Sequence, residues 1–199
     1  MAKSMKSLNI VLASAGLTLL CAPVTAQQIS TNSAQDFLDA VQKRDGNKAT
    51  ELVQSHPTVV DTKDAKGDTG LITVIRADDE NWTGFLLRNH ADPNLQGAGG
   101  DTPLIAAAKS GFDDSVPWLL GLGAKVDGTN RAGETPLIIA VQQRQLPIVR
   151  VLLRAGANPD KSDSAAGYSA RDYAKRDPRA REILKLIDDN KPRTAAAAK

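Results

Sequence analysis

The chain is poor in residues that carry chemistry. Cys21 is its one cysteine in 199 residues, so no intramolecular disulfide can form. It has two histidines, His56 and His90, and no H-E-x-x-H spacing to hold a metal. Gly97-Ala98-Gly99-Gly100 lacks the Gly-Lys-Ser/Thr that completes a nucleotide loop, and reads as a turn. No serine has a positioned base, so no nucleophile–base–orienter set emerges. Asp78-Asp79-Glu80 reads as an acid-rich helix start, with divalent binding as the alternative. These absences predict no enzyme, no cofactor and no resident metal.

A long apolar run is also missing. The best stretch, Leu8 to Ala22, is too short and interrupted for a membrane span. Lys3 and Lys6 precede it and Val24-Thr25-Ala26 follows it, the pattern of a secretory leader over residues 1–26. The chain is thus expected to be exported, periplasmic in a bacterium and otherwise secreted. Excess charge of one sign is absent too. The chain has 25 Lys+Arg and 23 Asp+Glu; Lys3 and Lys6 fall in the leader, leaving 23 of each. A balanced body argues against non-specific nucleic-acid binding.

What the chain does have is a period. Gly67, Gly100, Gly133 and Gly167 stand 33, 33 and 34 residues apart. A hydroxyl follows each by two: Thr69, Thr102, Thr135 and Ser169. Leu86-Leu87, Leu119-Leu120 and Leu152-Leu153 recur at the same interval, as do Asn94, Asp127 and Asp160. A fixed period of this size means a stacked solenoid, which usually works by presenting a surface.

One copy, Gly97 to Asp127, shows the physics. The glycines permit positive φ in a turn. Thr102 caps a helix, and Pro103 suits its first position. Leu104, Ala107 and Ala108 follow at helical spacing, and Gly111 breaks the run. A second helix opens at Asp113 or Asp114, tolerates Pro117 in its first turn, and ends at Gly123. His56 and His90 share the register of Gly123 and Gly156. Both are therefore expected in the left-handed residue that ends a second helix, with a metal pair on adjacent repeats as the alternative. Trp82 and Trp118 are expected to pack in the core, with an exposed interface role as the alternative.

G-D-T-P-L-I-A-A-A-K-S-G at 100–111, G-E-T-P-L-I-I-A-V at 133–141 and L-L-R-A-G-A-N-P-D at 152–160 resemble the ankyrin repeat. That resemblance implies an all-α solenoid of about five helix-turn-helix repeats, near 33–63, 64–96, 97–129, 130–162 and 163–189. Residues 190–199 form an Ala-rich tail expected to be disordered. Where the family has a histidine after T-P-L, this chain has Ile72, Ile105 and Ile138.

The resemblance further implies a protein partner docked on a concave face of turn tips and first helices. By register, that face carries Lys66, Asp68 and Arg76, then Asp101 and Lys109. It continues through Arg131, Glu134, Gln142 and Gln143 to Tyr168 and Arg176. The lysines and arginines are expected to form a basic column flanked by Asp68, Asp101 and Glu134, with Tyr168 as its aromatic anchor. An accessory factor of the cell envelope is the expected role, against a secreted effector, a toxin-immunity protein, or a small enzyme or metal-binding protein. The expected state is monomeric.

Overall fold

The computed structural model describes residues 26–190. The expected leader, apart from Ala26, and the tail after Asn190 lie outside the described residues. Among the described residues ten α-helices pair in chain order: α1 (Ala26–Lys43) with α2 (Gly46–Ser55), and α3 (Gly70–Arg76) with α4 (Glu80–Arg88). Next come α5 (Pro103–Ser110) with α6 (Ser115–Gly121), and α7 (Pro136–Gln142) with α8 (Leu146–Arg154). The last pair is α9 (Ala170–Arg176) with α10 (Arg181–Asp189). The first helices stack as one row, α3 on α5 on α7 on α9; α6, α8 and α10 stack beside them.

The recurring hydroxyls start the first helices. Thr69, Thr102 and Thr135 sit in extended backbone, and each Oγ1 accepts the N–H of an isoleucine three residues on, at 3.2 Å. Ser169 does the same for Asp172, whose carboxylate bonds back to the Ser169 N–H in a capping box. The preceding glycines, Gly67, Gly100, Gly133 and Gly167, all have φ between 73° and 91°. At Gly100 a side chain would fail twice over, because a Cβ there would lie 2.9 Å from the backbone nitrogen of Arg131. That nitrogen donates to the Gly99 carbonyl at 3.0 Å, and Ser164 likewise donates to Ala132 at 2.8 Å. The last three turns are thereby hydrogen-bonded in sequence.

Stacking explains the remaining periodicities. Ala40, Val74, Ala107, Ala140 and Ala174 are all buried, small enough to let first helices approach. Ile72, Ile105 and Ile138 are fully buried, so packing replaces a polar contact at that position. Asn94 reaches into the next repeat, donating to Gly123 at 3.0 Å and accepting from Lys125 N–H at 2.8 Å. Asp127 accepts the Asn158 N–H at 3.0 Å, and Asp61, in the same register, accepts that of Asp92 at 2.9 Å. Asp160, in the same register, accepts from Arg171 Nε at 2.6 Å.

Two expectations are corrected. His90 is left-handed at φ 65°, but His56 has φ −141°. Pro57 follows His56, and its ring crowds the preceding residue out of the helical region, leaving His56 at ψ 78°. Trp82 is buried against Phe85 in an edge-to-face contact of 5.2 Å. Trp118, by contrast, is 36% exposed. Its register, shared with Phe85, Val151 and Leu184, lies on the flank of the second helices, and all three of those residues are only half-buried. The fully buried stripe is one residue on, at Leu86, Leu119 and Leu152.

Candidate partner-binding face

The turn tips and first helices bring the candidate residues onto one face. An acid in the turn stands eight residues before a cation in the last turn of the first helix, close enough to meet along that helix. Asp68 pairs with Arg76, and Asp101 accepts from Lys109 Nζ at 2.7 Å. Arg76 also spans to Asp101 at 3.4 Å, while Asp68 accepts the Ala98 N–H of the next turn at 2.9 Å. Asn130 adds a donor to Asp101 at 3.3 Å. One network thus ties the turns of three successive repeats.

This geometry corrects the expected roles of Asp68 and Asp101. Both are 5% exposed, sealed beneath the cations they hold, and neither flanks the face as a free acid. It also corrects the basic column. Arg76 and Lys109 keep part of their surface in water but are neutralised by buried carboxylates. Lys66, Arg131 and Arg176 are exposed and have no carboxylate partner among the described residues. Glu134 is half-buried and accepts from Asn130 Nδ2 at 2.8 Å. Gln142 is half-buried and Gln143 is exposed.

At the last repeat the pattern changes chemistry. Tyr168 replaces the turn acid, and the Arg176 guanidinium lies 4.2 Å over its ring centroid. Tyr168 also meets Tyr173 edge-to-face at 5.7 Å. The Tyr173 hydroxyl donates to Asp163 at 2.7 Å, and Asp163 accepts three further N–H bonds from Ala165, Ala166 and Gly167. Burial pushes the Asp163 carboxyl up, but the Tyr173 hydroxyl and these backbone donors outweigh it and hold it below the ordinary value. The same hydrogen bond, with burial, raises the Tyr173 hydroxyl. A shallow cavity of about 250 Å³ opens beside this cluster, lined by Val141, Gln142, Tyr173, Arg176 and Asp177.

The sequence reasoning missed Asn130, Asp163 and Tyr173. Asn130 and Asp163 shape the turns by accepting N–H bonds from residues just ahead, as Asp64 does. Their spacing held the signal, since Asp64, Asn130 and Asp163 fall at multiples of 33, interrupted by Gly97. Asp79 is a helix cap, accepting the Trp82 N–H at 3.0 Å. Among the described residues no cluster of three or more metal-ligating side chains occurs, and no helix is long and apolar enough to cross a membrane.

A family model for ankyrin repeats, in three copies, matches residues 37–130 and 77–163. The chain belongs to the ankyrin repeat family. The matched span runs from α1 through α8, and the α9–α10 pair lies beyond it. No curated protein matches the chain. Ankyrin repeats are protein–protein interaction modules, and the face described above is the one this ankyrin chain presents from its turns and first helices.

Proposed function

We propose that this ankyrin protein is an exported adaptor that binds an acidic surface of another protein through its concave face, as an accessory factor of the cell envelope. The observation that carries the binding reading is the trio Lys66, Arg131 and Arg176. These cations share the face with an ordered aromatic ring, and no carboxylate of the described structure neutralises them. Aromatic and arginine anchors of this kind concentrate binding energy, and the charge steers association. The Leu8–Ala22 stretch and Val24-Thr25-Ala26 support export.

The test starts from the native host. A photo-crosslinker at Tyr168 identifies what touches the face, and intact mass of the exported chain gives its first residue. The reading expects a chain starting at Gln27 and a crosslinked protein partner. It expects Lys66→Glu, Arg131→Glu and Arg176→Glu together to slow association without changing the melt. A cytosolic full-length product overturns the export reading. Normal binding by a normally melting triple variant overturns the concave-face reading.

A further inference from the structure

On the opposite face, α4 and α6 leave an open groove of about 420 Å³. Gly84, Leu87, Arg88, Trp118, Gly121 and Leu122 line it. Trp118 and Leu122, one helical turn apart, are the large hydrophobic side chains left exposed among the described residues, at 36% and 54%. The groove has a cause in the sequence. Gly84 stands in the register of Arg150, and Gly121 in that of Arg88 and Arg154. Between α8 and α10, Arg150 crosses the gap to Glu182 at 3.4 Å. Between α4 and α6, glycine offers no side chain to do so.

Charge is polarised along this groove. Arg88 closes α4 at one end and has no ion-pair partner among the described residues. At the other end stand Glu80 in the first turn of α4 and, one repeat on, Asp113 and Asp114 before α6. None of these three acids has a cation partner among the described residues. No carboxylate lines the groove itself.

These features select the occupant. Among the described residues a second copy offers no other exposed large apolar side chain to insert, so through these it would set groove against groove and leave a void. Residues 1–25 contain two lysines and no acid, and residues 191–199 contain two lysines and an arginine with no acidic side chain. Neither segment complements Arg88. A convex apolar ridge with carboxylates at one end and cations at the other does. We propose that the α4–α6 groove docks an amphipathic helix of another protein. Its apolar side chains lie against Trp118 and Leu122, its acidic amino-terminal end lies over Arg88, and its basic carboxyl-terminal end lies over Glu80, Asp113 and Asp114. The docked helix then runs antiparallel to α4 and α6, which opposes the helix dipoles favourably. Gly121, with open space where a Cβ would stand, permits the close approach that ridge-into-groove packing needs, while the Arg88 guanidinium lies over Gly84.

The inference is independent of the concave face and is tested separately. The probe is a synthetic helix of about 16 residues. It carries leucines at i, i+3, i+4 and i+7, glutamates in its first turn and lysines in its last. A second peptide exchanges the two charged ends. Tryptophan fluorescence of the full chain is followed on titration, with Trp118→Phe identifying the signal from the groove. The first peptide should give a saturable change that Trp118→Phe abolishes. The end-exchanged peptide, and Arg88→Glu with the first peptide, should each bind about tenfold more weakly. Arg88→Glu should melt as the parent does, and Arg131→Glu should leave binding unchanged. Absence of saturable binding, or equal binding of both peptides, overturns the proposal. So does loss of the signal in Arg131→Glu, or a sedimenting dimer that Leu122→Asp dissolves.

Discussion

Tyr168 and Arg176 stack at 4.2 Å in the position where Asp68 pairs with Arg76 and Asp101 with Lys109. The same eight-residue spacing therefore carries two chemistries. In the middle of the stack the acid is buried and joins neighbouring repeats. At the last repeat an aromatic ring holds the cation at the surface, where its charge is not cancelled. The distinction separates residues that build the face from residues that it presents.

Charge reversal should expose that difference. Arg76→Glu places a carboxylate against buried Asp68, which loses its cation, and near Asp101, which keeps only Lys109. A loss of about 1–3 kcal/mol is expected, discounted because Arg76 is 37% exposed. Arg131→Glu touches no carboxylate and should stay within about 0.5 kcal/mol. Urea unfolding of the two variants measures the contrast. Equal midpoints would mean that the Asp68–Arg76–Asp101 network does not hold the turns together.

The histidines should respond in opposite directions to glycine. His90 is left-handed at φ 65°, a conformation glycine adopts freely, so His90→Gly should leave stability equal or raise it by up to about 1 kcal/mol. His56 has a negative φ of −141° ahead of Pro57. Glycine gains nothing there and adds unfolded-state freedom, so His56→Gly should cost about 0.5–1 kcal/mol. Thermal melts of the two single variants suffice, and a shift of the same sign in both would contradict the backbone assignment.

Thr83 is fully buried and its hydroxyl has no hydrogen-bond partner in the described structure. The same register holds Val116 and Val149, both fully buried. An unsatisfied buried hydroxyl costs about 1–3 kcal/mol. Thr83→Val keeps the shape and removes that polar atom, so stability should rise by about 1 kcal/mol or more. A lower denaturation midpoint in Thr83→Val would show that the hydroxyl is satisfied in solution.

Much of this fold was legible because repetition averages out local ambiguity. Glycine, hydroxyl and leucine at one interval gave the helix starts, the turns and the buried stripe. Errors arose where one copy departs from the others. Pro57 overrides the register of His56, and the Trp118 register lies on a helix flank, which the buried leucines beside it concealed. The face was legible as a set of positions but not as a set of roles. Spacing places Asp101 and Arg131 on the same surface. It does not show that Asp101 is sealed under Lys109, because that depends on how closely successive turns approach.

The Tyr173–Asp163 contact gives stability a dependence on pH that a single variant isolates. Asp163 is held below its ordinary value in the fold, so its contribution is present above the unfolded value near 3.8 and is lost as pH falls through the depressed one. Tyr173 is raised in the fold, so its contribution is present below the unfolded value near 10.0 and is lost as pH rises through the elevated one. Tyr173→Phe removes the hydroxyl that couples them and should cost about 1.5–3 kcal/mol at neutral pH, as for a hydrogen bond to a charged group. The difference in unfolding free energy between parent and variant should be flat from about pH 5 to 9, and should shrink beyond both ends. Asp177, held to about 2 by the Arg179 N–H and by Arg144, adds an acid limb common to both proteins that cancels in the difference. A difference that persists unchanged at pH 3 and at pH 11 would mean that Tyr173 contributes packing, not a hydrogen bond to an ionised Asp163.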